Sequence, residues 1–248
     1  MPGRLSTRDL IRLNTEIENF VDSDGDLTPI SGKDSAIFAI HRYEGGYVCY
    51  FRYDVPPSIR QQIEALDPEE ALYNHDTVKH IPYALCSKVF AGKGYYFDLV
   101  PSPDEFPDAV LHEGCYVIMA DGKPVSWAWT QDRNDRAAEL AVETLPEYRR
   151  RGHARQVVAA SASDVVKSGR VAFFSHKIGN VPSEALARSL GVVQCATRWC
   201  IPSPKSNAPA QHPLQPSPTI RGNSTPGPRT GIVRAKPPNR MPERVVPT

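Results

Sequence analysis

The sequence predicts an α/β fold: a mixed, mostly antiparallel sheet flanked by helices, with an N-terminal α/β half and a disordered C-terminal tail. Two observations predict it. From Cys115 onward, strand-like and helix-like segments follow in the order strand, strand, strand, helix, strand, helix, strand, which is typical of a sheet with a β–α–β crossover. From Pro202 onward, the composition cannot build a core. The chain therefore divides into residues 1–111, 112–201 and 202–248.

The first half begins with a helix pattern and continues with a hairpin pattern. Ser6 precedes apolar residues spaced three or four apart as far as Val21, which predicts a capped amphipathic helix over this stretch. Two runs rich in β-branched and aromatic residues, 36–43 and 47–53, flank Glu44-Gly45-Gly46. These runs predict two strands joined by a tight turn.

The remainder of this half is less regular. A second helix is predicted to begin within 54–57, because the apolar residues that follow fall on one face. The segment 68–86 is ambiguous, with a helical pattern that becomes irregular. Residues 89–100 predict two strand pieces on either side of Gly92-Lys93-Gly94.

The second half has clear element boundaries. Asp121-Gly122 is a strong hairpin signal between two apolar runs, and Gly169 and Gly191 each predict the end of a helix. Predicted strands lie at 115–120, 124–130, 137–145, 171–175 and 192–201, and predicted helices at 152–168 and 181–190. The short apolar strand at 171–175 suits a buried parallel position in the sheet.

The tail has its own composition. Residues 202–248 hold twelve prolines, seven lysines or arginines, one acidic residue and no aromatic residue. The tail therefore carries +6, which leaves −5 for residues 1–201 of a chain whose net charge is +1. Such a segment cannot offset its ordering entropy and is expected to be disordered. Nucleic acid is not the expected partner, because the thinly spread charges lack aromatic residues for base stacking.

Cysteines and hydropathy exclude several further classes. The cysteines are Cys49, Cys86, Cys115, Cys195 and Cys200. Their odd number and the absence of CxxC spacing argue against a disulfide framework or a zinc site, so we expect small buried thiols and no metal. No apolar run reaches the roughly 18 residues that cross a bilayer, and the N-terminus has no apolar signal segment. We expect a cytoplasmic protein with no membrane partner; the sequence does not indicate an oligomeric state.

The most informative segment joins the predicted strand 137–145 to the helix that follows it. Gly152 and Ala154 are small residues at the start of that helix, and Arg149-Arg150-Arg151 precede them. The first turn of a helix presents unpaired amides and the positive end of its dipole, so this turn suits a pyrophosphate. No Walker or Rossmann fingerprint is present. A structural helix start with a basic cap is the alternative interpretation.

Two motifs in order give a family resemblance. Arg149-x-x-Gly152-x-Ala154 resembles the pyrophosphate loop of the GNAT superfamily of acetyl-CoA-dependent acyltransferases, and it follows the common lead-in Pro146-Glu147-Tyr148-Arg149. Eleven residues separate Asn180 from Gly191, as in a later helix of the family. The resemblance covers about residues 112–201. It implies transfer of an acetyl group from acetyl-CoA to a primary amine, by direct attack in a ternary complex.

The resemblance also implies positions for the donor. The backbone amides expected to hold the pyrophosphate are those of Arg150, Arg151, Gly152, His153, Ala154 and Arg155, with the Arg149 side chain beside them. The backbone of Glu143, Thr144 and Leu145 is expected to pair with the pantetheine arm and to polarise the thioester carbonyl where the third and fourth core strands part. Asn180 and Ser183 are expected near the far end of that arm. The histidine of the loop, His153, is expected to face solvent.

The catalytic residues are less specified. Glu143 and Glu139 are the candidate bases for the amine proton, because both lie on the strand that leads into the loop. The family's acid is a tyrosine seven residues after the asparagine, a position that Ala187 occupies here. Ser183, a water or a tyrosine of the first half would replace it, or direct release of the thiolate would suffice. His176 would lie close to the donor arm. The missing acid also leaves open a non-catalytic acyl-CoA-binding module.

The acceptor is not specified by any motif. Because residues 1–201 carry net negative charge, a small cationic amine or an amino acid is the expected acceptor. The first half, with its many tyrosines, is expected to form a wall of the acceptor pocket.

Overall fold

The computed structural model describes residues 5–30, 36–65 and 90–202. The whole of the ambiguous segment 68–86, which includes Cys86, and nearly all of the predicted tail lie outside these ranges.

The described strands belong to one mixed sheet. They are β1 Asn19–Val21, β2 Asp26–Pro29, β3 Ala36–Tyr43, β4 Gly46–Arg52, β5 Phe90–Tyr96, β6 Val110–His112, β7 Cys115–Ala120, β8 Lys123–Arg133, β9 Ala137–Thr144, β10 Val171–Lys177 and β11 Val193–Pro202. Their order across the sheet is β1-β2-β4-β3-β11-β5-β10-β9-β8-β7-β6. Eight of the ten described pairings are antiparallel, and only β2–β4 and β9–β10 are parallel. The predicted fold class is confirmed.

Four described helices flank the sheet: α1 Thr7–Thr15, α2 Pro57–Glu64, α3 His153–Lys167 and α4 Val181–Leu190. Short 3₁₀ turns at Pro103–Glu105 and Pro146–Tyr148 precede β6 and α3. Within the described ranges, no helix has the length and apolar composition to cross a membrane.

The sheet has a core on each face. Helix α3 packs on one face, where Val157, Val158 and Ala162 contact Leu140 and Phe174. Helix α1 packs on the other face through Leu10 and Leu13 against residues that include Phe173. The two cores lie on opposite faces because successive residues of a strand alternate in direction.

The crossover places the predicted pyrophosphate turn. Strand β9, helix α3 and strand β10 form the β–α–β unit, and β10 lies parallel to β9 with Val171 opposite Ala137. The hairpin turn at Asp121-Gly122 has positive φ at both residues, 49° and 71°, as its sequence predicts.

Two local predictions are wrong. Helix α1 ends at Thr15, and the apolar residues Phe20 and Val21 lie in β1, which pairs with β2. Tertiary pairing overrides the helical spacing there, because β2 offers these residues a backbone partner. One strand, β5, runs through Gly92-Lys93-Gly94 instead of two, because β10 and β11 pair with it on either side.

The described cysteines are free thiols. Cys115, Cys195 and Cys200 are buried and Cys49 is half-buried. Burial raises the pKa of the Cys195 thiol to about 12 and that of Cys49 to about 11, which keeps both protonated near neutral pH.

Candidate functional site

An opening in the sheet lies beside the crossover. The parallel pairing of β9 with β10 extends to Leu140 opposite Phe174. Beyond this point β9 pairs with β8 as far as Thr144, and β10 pairs with β5 through Ser175–Lys177. The two strands part in the place where the sequence analysis expects the thioester carbonyl.

Strand β9 presents free backbone groups to the opening. The Leu145 amide donates to the Val125 carbonyl at 2.9 Å, so it points toward β8. Because successive amides of a strand point to opposite sides, those of Val142 and Thr144 point toward the opening. Of the expected polarising amides, Thr144 is therefore the available one and Leu145 is not.

The predicted pyrophosphate turn follows this strand directly. Helix α3 begins at His153, and Gly152 is its N-cap, with φ 81° and without a capping side chain. A Cβ at Gly152 would have no heavy atom within 4 Å. The first amides of α3 therefore face open space, which an anionic ligand can enter.

The arginines of the turn are held locally. Arg149 Nε donates to the Thr144 carbonyl at 3.1 Å, and Arg151 Nη2 donates to the Glu147 carbonyl at 3.0 Å. Arg155 donates to the Ser189 carbonyl and to Glu105, which fixes α3 to the last turn of α4 and to the first 3₁₀ turn. Arg150 is exposed and has a positive φ of 61°. The guanidinium groups of Arg149 and Arg151 are thus held beside the start of α3.

His153 does not face solvent as expected. Its side chain is half-buried, and its Nδ1 is buried without a hydrogen-bond partner within the described ranges.

The start of α4 lies at the same opening. Asn180 is the N-cap of α4, and its Oδ1 accepts from the Ser183 amide at 3.3 Å. Asn180 and Ser183 both line the cleft described next. Ala187 is buried within the core on this face and offers no proton donor from its side chain.

A cleft of about 390 Å³ passes through the opening. Because strand residues alternate, Leu140, Phe174 and His176 belong to the α3 and α4 face, whereas Glu139 and Ser175 belong to the α1 face. The cleft is lined by Asn14, Ile17, Glu18, Gln131, Glu139, Leu140, Ala141, Val142, Phe174, Ser175, His176, Asn180, Ser183 and Arg198. The cleft therefore connects the two faces of the sheet.

Glu139 is the carboxylate of β9 in this cleft. Its Oε1 accepts from Ser175 Oγ at 2.7 Å, and its Oε2 accepts from Asn14 Nδ2 at 3.2 Å. Burial raises the pKa of Glu139 to about 7, with Glu18 adding to the rise and the two hydrogen bonds opposing it. A carboxylate with this pKa can accept a proton near neutral pH.

Glu143 has a different environment. It lies four residues along the same strand, opposite Trp127 of β8, and its side chain is exposed. It is not among the residues that line the cleft. The geometry therefore favours Glu139 over Glu143 as the base, while the backbone of Glu143 remains part of the strand edge.

His176 and Tyr95 form a buried pair at the other face. The His176 ring stacks on Tyr95 at 5.5 Å between centroids, and its Nε2 lies 3.3 Å from the tyrosine hydroxyl. His176 Nδ1 lies 2.9 Å from the Lys177 carbonyl. His176 lines the cleft, whereas Tyr95 does not line it and is connected to it only by its contact with His176.

The sequence did not indicate several polar residues of the cleft, among them three from outside β8, β9 and β10. Asn14 and Glu18 come from α1 and the turn after it, and Arg198 comes from β11. The first half thus contributes to the cleft through α1 and the turn after it. An arginine between the apolar residues of the last strand was the available signal for Arg198.

The raised pKa of Glu139 makes stability depend on pH. Between 4.5 and about 7 the folded protein holds this proton more tightly than the unfolded chain. The contribution of Glu139 to the free energy of unfolding is therefore fully present below pH 4.5, and it is lost as the pH rises through about 7. We expect Glu139→Gln to be more stable than the wild type at pH 8 by about 1–3 kcal/mol and equal to it at pH 4.

Urea unfolding at the two pH values measures this difference. Glu147→Gln, which changes an exposed glutamate, is the matched control and should not reproduce it. A Glu139→Gln protein that gains nothing at pH 8 would contradict the raised pKa.

Comparisons with known proteins agree with the motifs. Residues 121–200 match the family model described as FR47-like protein, which is GNAT-related. The match spans β8 to β11 and contains both α3 and α4 with their initial turns. None of the curated proteins matches the sequence.

Several solved structures are similar. A putative acetyltransferase from the GNAT family of Novosphingobium aromaticivorans is 22% identical, with a TM-score of 0.40, over 48% of this chain and 67% of that chain. An acetyltransferase from the GNAT family of Colwellia psychrerythraea is 12% identical, with a TM-score of 0.43, over 80% of this chain and 98% of that chain. A GCN5-related N-acetyltransferase-like protein from Streptococcus suis is 13% identical, with a TM-score of 0.43, over 78% of this chain and 97% of that chain.

Proposed function

We propose that this chain, whose residues 121–200 match the FR47-like family model, is an acyltransferase of the GNAT type that transfers an acetyl group from acetyl-CoA to a primary amine. The amine attacks the thioester directly in a ternary complex. The observation that carries the proposal is the cleft between β9 and β10, which has Glu139 at one face and leads to the start of α3 along the free edge of β9. The acceptor is a small molecule, and the expected compartment is the cytoplasm.

The residues at the start of α3 fit the donor. Gly152 provides open space beside an uncapped helix start, and that is what a pyrophosphate requires. The amides from Arg150 to Arg155 would hold the pyrophosphate, and those of Val142 and Thr144 would bind the arm that follows. When bound, acetyl-CoA supplies an acyl group activated as a thioester.

The residues of the α1 face would act on the acceptor. Glu139 takes a proton from the amine, which leaves the nitrogen lone pair free to attack the carbonyl carbon. The new carbon–nitrogen bond forms as the carbon–sulfur bond breaks, and the sulfur leaves as a thiolate that takes up a proton. Ser175 and Asn14 hold the Glu139 carboxylate in place for the proton transfer.

His176 and Tyr95 take the place of the missing tyrosine at position 187. His176 is the imidazole that lines the cleft on the α4 face, and its Nε2 is within hydrogen-bond distance of the Tyr95 hydroxyl. The pair can therefore carry a proton toward the cleft, where the thiolate forms. This replacement comes from the first half of the chain, as one of the sequence-based alternatives expects.

Two measurements test the proposed function. Acetyl-CoA at a hundredfold excess over its Kd should stabilise the protein by about 2.7 kcal/mol, which a thermal-shift assay detects. Release of free thiol should then depend on an added amine.

The second candidate function is an acyl-CoA-binding module without catalysis, which the residue Ala187 favours. Stabilisation without thiol release on any amine would support that module, and no stabilisation would contradict both.

A further inference from the structure

Arg198 is an unusual residue for the centre of a sheet. It lies in β11 opposite His41 of β3 on one side and Gly92 of β5 on the other. Its chain neighbour Trp199 is buried, as is Cys200. A charge in such surroundings loses much of its hydration and must be compensated by polar partners.

The partners of Arg198 leave its guanidinium incompletely satisfied. Its nearest carboxylate is Glu18, with Nη1 and Oε2 separated by 3.8 Å, whereas charge-assisted bonds are about 2.7–2.9 Å long. Its Nε is buried and has no hydrogen-bond partner in the part of the chain that the structure describes. The Cys200 thiol also meets the Arg198 side chain. Arg198 lines the cleft, so the guanidinium that Glu18 holds only loosely can bind a further acceptor there.

The other charged groups at this face are two carboxylates. Glu139 and Glu18 both line the cleft. His41 faces Arg198 but adds no charge, because burial and the nearby guanidinium hold its pKa well below 6.5. Lys and Arg side chains other than Arg198 do not line the cleft within the described ranges. The acceptor face thus offers carboxylates for an amino group and one guanidinium for an anion.

We propose that the acceptor is a small amino acid, whose amine meets Glu139 and whose carboxylate binds Arg198. This inference rests on the proposed acyl transfer in the same cleft. A simple amine would leave Arg198 with only the distant Glu18 carboxylate, whereas an amino acid brings a carboxylate to Arg198 as well as an amine to Glu139. The cleft of about 390 Å³ also receives the acyl end of the donor, so the acceptor is small.

The first test leaves the protein unchanged. Each of several amino acids is compared with its carboxamide, which keeps the amine and side chain but lacks the negative charge. We expect kcat/KM to be at least tenfold higher for the best amino acid than for its amide. The amine of an amide is less basic and more often neutral, so the preference cannot come from amine reactivity. Equal kcat/KM values would overturn the inference and leave the proposed acyl transfer intact.

The second test changes the residue. Arg198→Gln should remove the preference by raising KM for the amino acid at least tenfold, with little effect on the amide; Arg198→Lys should restore part of it. Glu18→Gln should lower KM for the amino acid, because it removes the carboxylate that competes for Arg198. Arg136→Gln is the matched control, since it breaks an exposed ion pair with Glu16 outside the cleft. A loss by Arg198→Gln that is equal for acid and amide would overturn the inference.

Binding provides a readout that does not need turnover. Amino acids are added to the wild-type protein with CoA present, and the melting temperature is followed. We expect the amino acid, and not its amide, to raise it. If acetyl-CoA binds while no amino acid gives a shift or turnover, the inference fails; if acetyl-CoA itself does not bind, the proposed function fails.

Discussion

Glu139→Gln is expected to lower kcat by a factor of about 10²–10⁴, the range typical of a lost general base. Gln preserves the shape of the side chain and can still meet Ser175 and Asn14, which both bind the Glu139 carboxylate. It cannot accept the proton of the amine. The affinity for acetyl-CoA should be unchanged, because Glu139 lies on the α1 face, away from the start of α3.

Glu143→Gln is the matched comparison, because it makes the same change four residues along the same strand. Its side chain is exposed and outside the cleft, so we expect less than a threefold effect. In the wild type, kcat/KM should rise with pH and level off above about 7, the pKa of Glu139, and this rise should be absent from Glu139→Gln. A larger loss in Glu143→Gln would assign the base to Glu143 instead.

Gly152→Glu is expected to weaken acetyl-CoA binding at least tenfold, which corresponds to about 1.4 kcal/mol. The new side chain extends into the open space beside the first amides of α3 and adds a negative charge where a polyanion binds. The positive φ of 81° adds a cost in stability, because residues with a Cβ are strained there by about 1–2 kcal/mol.

Gly169 offers a control for that strain. Its φ is 82°, its Cβ position is also empty within 4 Å, and it follows the far end of α3. Gly169→Glu should therefore lose a similar amount of stability and keep its affinity for acetyl-CoA. Calorimetric titration and thermal unfolding on the same samples measure both quantities. Equal affinity in folded Gly152→Glu and Gly169→Glu would show that the turn is only a helix start.

The sequence predicts best where local signals and tertiary structure agree. Helix α4 has a cap at Asn180 and a glycine at Gly191, and it begins and ends as predicted. The motif around Gly152 indicated both the strand-to-helix turn and the GNAT resemblance, which the family match confirms. These features depend on residues that are close together in the chain.

The remaining features depend on distant pairing. The helical spacing around Phe20 did not show that β2 would pair with this segment. The sequence placed Glu139 and Glu143 on the same strand but could not show that Asn14 of α1 would contact only the first of them. Arg198 was not predicted to be in the cleft, because its position depends on the insertion of β11 between β3 and β5.

The place of β11 also bears on how the chain folds during synthesis. β11 is the last described strand along the chain, yet Thr197 pairs with Arg42 and Gly94 lies opposite Ala196 in the middle of the sheet. Pairings between such distant residues give a high contact order and slow folding. While the ribosome is still making β11, the inner edges of β3 and β5 remain unpaired, and such edges promote aggregation.

Strand β11 also carries Arg198. The residue that we propose to bind the acceptor carboxylate is therefore synthesised together with the strand that fills the gap between β3 and β5. A nascent chain can therefore form the helix-start turn of α3 before it has an acceptor site. Nascent chains that lack β11 should bind the donor without turnover, and they should need chaperone protection until residue 202 has left the exit tunnel.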